Sequence, residues 1–517
     1  MAIYTRPPFI RSILPGNSPI PFKVKPTENE YIEDAEVVIM ENVQSNQETV
    51  FKEETTSIEE ASLIPEKVTF DAIDNPNENE EDSITCEETA VEPSIAMNNL
   101  DQESFILNST VSINFGIIGL GQAGGKIADS LAACRLPGKN QSTYQAIAVN
   151  TCLADLHALK NIPESQRVAL PNYRLGAMRQ PELGYAAINQ PGVLDDLVLN
   201  RVPRVFENVD HVIVSAGIGG GTGTGGIQAV CEALAEKGYS VTAMITLPRN
   251  LDSVEEKQNA NVFLGTLQEL MYNGLISSVI VVDNNLLYNR YVNHAKDSGI
   301  DMDWKIVSNM EIVRIINEMN ATTGLPSSTT FDGAELTKIL TSGGCVTFGK
   351  ARISLPDSAL FETIALEISE ILNSGYLAEY KNLSEARYAG VQLIMPPDLE
   401  FGPMMERTII DELKKKMPTL LGTYVGHAQV KGQNEILVYT VVSGMGLPGR
   451  AQELSQLLQA EVEKINASDA KRTQFMPSEV TVMNPFLKGS RQRTAGNPFA
   501  KESPIGKANN PFGNKQP

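Results

Sequence analysis

The sequence predicts an α/β protein: a parallel-sheet nucleotide-binding domain, a central helix, a second smaller α/β domain, and extensions without a core at both ends. Three observations predict this. Short continuous apolar runs of strand length alternate with segments of helical periodicity from about residue 111 onward, the pattern of strands buried on both faces by crossover helices. Two glycine-rich segments each follow such a run and open a helix. Charge and composition change sharply at either end of this region.

The first 108 residues form an acidic extension. Residues 27–103 carry 23 acidic residues and two lysines, which accounts for the net charge of -21 of the whole 517-residue chain. A stretch so charged and so poor in aromatic residues buries too little apolar surface to offset its ordering entropy, and it is expected to be disordered. It reads as a solvated tail, or as a charged bristle that spaces neighbouring molecules or binds a basic partner.

The first domain is expected over residues 109–301. INFGIIGLGQAGGKIADSLAACRL (113–136) reads as a buried strand, a glycine loop and a helix. YQAIAVN (144–150) and HVIVSAG (211–217) are further strands, and IQAVCEALAEKG (227–238) is helical and stops at a natural glycine cap. SVTAMITLP (240–248) and SSVIVVDN (277–284) complete this sheet. Residues 302–343 hold a central helix, WKIVSNMEIVRIINEMN (304–320), and the loop SSTTFDGAEL. The second domain, 344–466, reads as VTFGKARIS (strand), FETIALEISEILNSG (helix), YAGVQLIMPP (strand), MERTIIDELKKKM (helix) and EILVYTVVSG (strand), closed by a long helix over 450–465. The tail, 467–517, repeats NPF three times at a spacing of 13 residues, and from Asn484 onward has six basic residues against Glu502. It reads as a solvated linker or as a docking tail.

Several function classes are disfavoured. The five cysteines are scattered, without CxxC pairs, so neither a disulfide framework nor a zinc site is expected, and the four histidines lie far apart. No run of about 18 apolar residues suggests a membrane span, and the N-terminus has no apolar leader core. A soluble, reducing, cytoplasmic protein without a membrane partner is the expectation.

The chemistry is expected in the glycine segments. In SAGIGGGTGTGG (215–226), seven of twelve residues are glycine. Such a segment between strand and helix lets backbone N–H groups close on phosphate, and the hydroxyls of Thr222 and Thr224 can donate as well. The first segment, with Gly121, Gln122, Gly124 and Gly125, matches G-x-G-x-x-G. A dinucleotide site would want an acid near the end of the second strand, where the sequence is Val149-Asn150-Thr151. That weakens a nucleotide-dependent oxidoreductase, which would also leave the second segment without a role. Neither segment ends in Gly-Lys-Ser/Thr, so no P-loop lysine is present.

GGGTGTG, from Gly219 through Gly220, Gly221, Thr222, Gly223 and Thr224 to Gly225, resembles the signature loop of the tubulin and FtsZ superfamily. The order of IIGLGQAGGKIA, AVNT, the signature, ITLPR, VVDNNLLY and FDGAEL agrees with it. TLPR, DN-x-x-LY and YTVVSGMGLPGRAQEL look more like the plasmid and phage branch, TubZ, than like cell-division FtsZ. The resemblance covers roughly residues 111–465. It implies a tubulin/FtsZ-like fold and a GTPase that polymerises head to tail, with GTP and Mg2+ at the subunit interface. Asp332 and Glu335, three apart at a helix start, would be the catalytic pair serving a neighbour's nucleotide; by themselves they would simply favour a helix N-terminus. Asn309 would read guanine, Asp252 would approach the ribose, and Pro181 would sit in the γ-phosphate loop. Asn150 would line the site, and Lys126 stands where FtsZ has an Asn near the base. The resemblance implies a cytomotive filament that segregates plasmid or phage DNA through a DNA-binding adaptor protein held by the tail, or alternatively a phage spindle positioning DNA or capsids.

Overall fold

Ten strands form one sheet in the order β3-β2-β1-β4-β5-β6-β7-β10-β8-β9. The structure, a computed structural model, describes residues 110–135, 141–171, 176–299, 301–325 and 331–475. The acidic extension and the three NPF repeats lie outside the described residues.

The first six strands are β1 (Phe115–Leu120), β2 (Gln145–Asn150), β3 (Arg167–Ala169), β4 (His211–Gly217), β5 (Val241–Leu247) and β6 (Ser278–Asp283), all paired in parallel. Every residue of β1, β5 and β6 is buried, which is why they read as unbroken apolar runs rather than as alternations. The strand period of two still divides their side chains between two cores. Ile118 and Leu120 join one cluster and Phe115 and Ile117 the other.

The later strands are β7 (Cys345–Ser354), β8 (Tyr388–Met395), β9 (Gly422–Gln429) and β10 (Glu435–Met445). β7 pairs with β6 in parallel through Val279↔Cys345 and Ile280↔Val346. β10 runs antiparallel between β7 and β8, and β9 lies parallel on β8. The part of the chain expected as a second domain therefore continues the first sheet through a narrow two-rung seam. The expected strands are found; β3 and β9 were not anticipated. β3 has three residues, and β9, GTYVGHAQ, mixes glycine, His and Gln into an otherwise strand-like run.

The α-helices of five or more described residues are α1 (Gly121–Ala132), α2 (Leu153–His157), α3 (Pro181–Ile188), α4 (Thr222–Glu236), α5 (Val254–Tyr272), α6 (Asn284–Ser298), α7 (Trp304–Thr322), α8 (Gly333–Leu340), α9 (Leu360–Ser374), α10 (Pro403–Lys416) and α11 (Gly449–Phe475). α7 buries Ile312, Ile315, Ile316 and Met319 in the second cluster. Its 19 residues make it about 28 Å long at 1.5 Å per residue. Its C-terminal end is pinned to the entry of β1 by Asn320, fully buried, whose Oδ1 accepts from Ser112 N (3.1 Å) and Ile113 N (2.9 Å) while Nδ2 donates to Ile113 O (2.8 Å). α11 extends beyond its expected end and returns to the first part of the sheet. Arg450, 5 % exposed, donates from Nη2 to Pro248 O (3.1 Å) and faces Asp283 at 3.4 Å; Lys257, 2 % exposed, pairs with Glu461 at 2.6 Å. No helix among the described residues is long and apolar enough to cross a membrane.

Candidate functional site

The strand order reverses at β1, which has β2 on one side and β4 on the other. In open parallel sheets the crevice outside the carboxyl ends at such a reversal is where ligands bind. A cleft of about 580 Å³ lies there, floored by Leu120, Gly217 and Thr246 from the ends of β1, β4 and β5. Its volume suits a ligand the size of a nucleotide.

Two helices begin at this cleft, and both begin on the glycine segments. α1 starts at Gly121 and α4 at Thr222, so most of each expected loop is the first turn of a helix. Neither helix has a side-chain cap or an acidic residue in its first turn. α5, α6, α7 and α8, by contrast, are capped by Ser253, Asp283, Asp303 and Asp332. Helix N-termini carry unpaired N–H groups and partial positive charge. α2, α3, α9 and α10 also lack side-chain caps, but α1 and α4 converge on one cleft, as an anion site requires. Gly121 adopts φ +68°, and a side chain there would press on Gly223 N at 3.0 Å, so the two segments abut.

The glycines divide by what surrounds them. Gly220 has open space beside its Cα, with the nearest atom, Gly217 O, 3.9 Å from an added Cβ, and it lines the cleft with Gly219, Gly221, Thr222 and Gly223. Gly223 is crowded by Gly217 O at 2.9 Å and Leu120 O at 3.1 Å, so it lets α4 approach the strand ends. Gly124 and Gly225 are not cleft residues. An added Cβ would meet Ser215 O at 2.0 Å and Pro181 O at 2.0 Å respectively, so they serve helix-on-strand and helix-on-helix packing. Gly125 does not line the cleft either, nor does Pro181, which opens α3 against α4. Thr224 is not among the residues that line the cleft; its hydroxyl donates to Gly220 O (2.5 Å), holding the turn. Thr222 Oγ1 lies 2.7 Å from Thr151 Oγ1, beside the cleft.

Gln122, Lys126, Asn150, Asp252 and Asn309 all line the cleft. Asp155, from α2, joins two of them. Its Oδ1 accepts from Gln122 Nε2 and its Oδ2 from Asn150 Nδ2, both at 3.0 Å. A carboxylate thus stands beside the end of β2 after all, supplied five residues past it. Asp252 is engaged by Arg249, whose Nη2 lies 2.7 Å from Oδ1. The Arg249 guanidinium also stacks 4.4 Å from the Trp304 ring centre and 4.8 Å from Tyr288. Asn309 lies one turn into α7, with Lys305 and Ser308 beside it on the cleft wall.

The segment 176–179 closes the cleft over the second glycine run. Met178 (φ 45°) and Arg179 (φ 58°) are consecutive left-handed residues without glycine's freedom, a strained arrangement that concentrates at ligand clamps. Asn259 Nδ2 holds it by donating to Arg179 O (2.7 Å) and Gly219 O (3.1 Å). Arg179, Asp155, Thr151, Glu256, Arg249 and Trp304 were not picked out from sequence as site residues. The TLPR segment and the single tryptophan were available signals for Arg249 and Trp304; the others depend on contacts between distant segments.

Asp332 and Glu335 are not in this cleft. They stand at the N-terminus of α8, beyond the far end of α7. Gly333 abuts Ser112, before β1, with 2.8 Å between an added Cβ and Ser112 Cβ. The two acids form a capping box: Asp332 Oδ1 accepts from Ala334 N (2.7 Å) and Glu335 Oε2 from Asp332 N (3.3 Å). Asp332 is exposed and Glu335 half-buried. The hydrogen bond between their carboxyls holds Asp332 below the usual carboxylate range, and Ala334 N adds to this; the same bond raises Glu335. No group of three or more His, Cys, Asp or Glu side chains able to hold a metal converges among the described residues.

Two family descriptions match the chain: the tubulin/FtsZ family GTPase domain over residues 114–292 and the TubZ-like C-terminal domain over residues 318–455. The chain is 26 % identical over 382 residues to the tubulin-like protein TubZ of Bacillus cereus, covering 70 % of this chain and 86 % of that protein. It is similar to a GTPγS-form protofilament of TubZ from Bacillus thuringiensis serovar israelensis (TM-score 0.62, 26 % identity, 71 % of this chain and 96 % of that one). A structure of a type III plasmid segregation TubZ is also similar (TM-score 0.59, 26 % identity, 69 % and 94 %).

Proposed function

We propose, from the premise that this chain belongs to the tubulin/FtsZ family, that it binds GTP in the cleft, assembles head to tail into filaments and hydrolyses GTP at the joint between subunits. The observation that carries this is the division of the site between the two ends of α7. The paired uncapped helix N-termini lie at its beginning, and the acids Asp332 and Glu335 lie beyond its end.

The phosphates rest on the backbone N–H groups of Gly219, Gly220 and Gly221 and on the first turns of α1 and α4, with Thr222 beside them. Gly124, Gly125, Thr224, Gly225 and Pro181 act by packing these turns together. The base lies toward Asn309, with Lys126 on the same wall, and Asp252 faces the ribose. Gln122, Asn150 and Asp155 form the wall beside it. Magnesium, bound with the nucleotide, would neutralise phosphate charge in this cleft.

A helix about 28 Å long keeps Asp332 and Glu335 from reaching the cleft of their own subunit. They act on the nucleotide of the next one. The ionised Asp332 accepts a hydrogen bond from the attacking water and orients it, and Glu335 supports that carboxylate. A site made from the top of one subunit and the bottom of another is a heterologous contact, which repeats without closing and gives a filament. Assembly and hydrolysis are coupled because each completed joint is a completed site.

The biological role we assign is movement of plasmid or phage DNA in the cytoplasm, in keeping with the plasmid segregation activity in the description of one similar structure. The basic NPF tail would hold a DNA-binding adaptor. The test is electron microscopy and phosphate release from the full chain with GTP, GDP, NAD and a slowly hydrolysed GTP analogue. Filaments with GTP and its analogue, and phosphate release that rises with protein concentration, are expected. NAD binding without GTP binding would overturn the assignment.

A further inference from the structure

The turn that carries Asp252 is fastened from outside the cleft. Asp252 accepts three hydrogen bonds from Arg249: Oδ2 from the backbone N (2.8 Å), and Oδ1 from Nε (3.1 Å) and Nη2 (2.7 Å). Its own N donates back to Arg249 O (3.2 Å). The turn is therefore stiff within itself. A carboxylate has about four acceptor sites, so Oδ2 keeps one for another donor. Where that acceptor points is set by where the whole turn sits.

Two points of that turn lead to one side chain. Just before it, Pro248 O accepts from Arg450 Nη2 (3.1 Å). Within it, Asn250 N donates to Asn285 Oδ1 (3.1 Å) in the first turn of α6. That helix is capped by Asp283, whose Oδ1 accepts from Asn285 N (2.9 Å) and faces Arg450 Nε at 3.4 Å. After the turn, the chain enters α5 through the capping box of Ser253 and Glu256. Arg450 is the second residue of α11 and does not line the cleft, whereas Pro248, Arg249, Asp252 and Asn284 do. Its place is costly to the helix that carries it. It is 5 % exposed, and it stands at a helix N-terminus, where the dipole favours anions. No acid in that first turn offsets this; its counter-charges are Asp283 and, 3.3 Å from Nη1, Glu453.

We propose that Arg450 is a positioning residue for nucleotide binding: holding Pro248 directly, and Asn250 through Asp283 and Asn285, it aims the remaining Asp252 acceptor at a ribose hydroxyl. This rests on the reading above in which the cleft takes GTP with Asp252 toward the ribose. An arginine suits the task because its planar fork offers several N–H groups in fixed directions, so one side chain can serve a backbone carbonyl and a carboxylate together. The glycine segments are seated on β1, β4, α1 and α4, apart from this turn. A displaced turn therefore loses the sugar contact and leaves the phosphate cradle whole. Recognition of the ribose is thereby tied to the seating of α11, a helix that begins after the last strand of the sheet.

The experiment measures, by isothermal titration calorimetry on the full-length chain, the affinities for GDP and for a dideoxy-GDP that lacks both ribose hydroxyls. The wild-type chain is expected to bind GDP about tenfold more tightly than the dideoxy nucleotide. Arg450→Met removes the fork and its charge. It is expected to bind GDP about tenfold more weakly and the dideoxy nucleotide as the wild type does, so that the two affinities converge. A merely structural role would weaken both alike. Arg450→Lys, which keeps the buried charge, is expected to recover GDP binding to within about threefold of wild type. Should Arg450→Met unfold by circular dichroism, the comparison is made with Asp283→Asn added, which keeps a good helix cap and leaves no unpaired buried charge. Equal weakening of both nucleotides, or unchanged GDP affinity, overturns the inference while leaving the cleft assignment standing. So does equal binding of the two nucleotides by the wild type. Failure of the wild-type chain to bind GDP overturns the cleft assignment itself, and the role of Arg450 with it.

Discussion

The two ends of α7 are built on opposite rules. At its N-terminal end, helices arrive uncapped and glycines leave the backbone bare. At its C-terminal end side chains close off the backbone: Asn320 satisfies the entry of β1, and Asp332 with Glu335 caps α8 in both directions. A side-chain cap is worth on the order of 1 kcal/mol to a helix, and the two helices that meet at the cleft both lack one. The complete end can tolerate acids because they already have local partners.

The largest effect should come from breaking the complete end without unfolding it. Asp332→Asn keeps a good helix cap but removes the carboxylate. Hydrolysis measured by phosphate release should fall by roughly 10²–10⁴, the contribution of a positioned general base, with monomer affinity for GTP unchanged. Mixing it with Gly220→Val should restore part of the rate, because each subunit then supplies the half the other lacks. If Asp332→Asn abolishes nucleotide binding by the monomer, the two ends are not separate.

Gly220→Val strikes the open end. It should weaken GTP about 100-fold, near 2.7 kcal/mol, with an unchanged melting temperature, since the space beside Gly220 is free. Gly223→Val should instead lower the melting temperature, because Gly217 O and Leu120 O already crowd that position. Identical behaviour of the two variants would erase the distinction between bare and packing glycines.

That distinction is also where sequence reading stopped. The sheet was legible because strands buried on both faces must be apolar along their whole length. The cleft was legible because glycine at such density between a strand and a helix has few other uses. Sequence could not say that Gly124 and Gly225 face a strand and a helix while Gly220 faces open space, since all three are equally bare in the chain. Nor could it place Asp155 against Gln122, 33 positions away, or Arg450 against Pro248, 202 positions away. β9 escaped because its glycines make room for partners: Gln392 and Phe331 crowd Gly426.

A smaller effect should show at the closed end alone. His211 begins β4, on the Asp332 side of the sheet, and burial pushes its pKa down to about 4. Its Nε2 lies 2.7 Å from Thr242 Oγ1, while Nδ1 has no partner. The unfolded chain, with an ordinary histidine near 6.5, binds the proton more readily between these values, so stability falls as pH drops through that window. Denaturant melts at pH 7 and pH 5 should differ by about 2 kcal/mol from this residue, and His211→Gln should lack that share. A slope unchanged by the substitution would assign the acid sensitivity elsewhere. The smallest effect is the cap itself: Asp332→Ala should be about 1 kcal/mol less stable than Asp332→Asn by thermal melting.

The pairing of Lys257 with Glu461 fixes how far the chain can be shortened. The ammonium is 2 % exposed and its counter-charge comes from 204 positions later. A version ending at 460 would strand a buried cation inside α5, next to the turn that Ser253 and Glu256 organise at the cleft; one ending at 467 would not. The boundary of the smallest working molecule is thus set by a single carboxylate on α11, well past the last strand of the sheet.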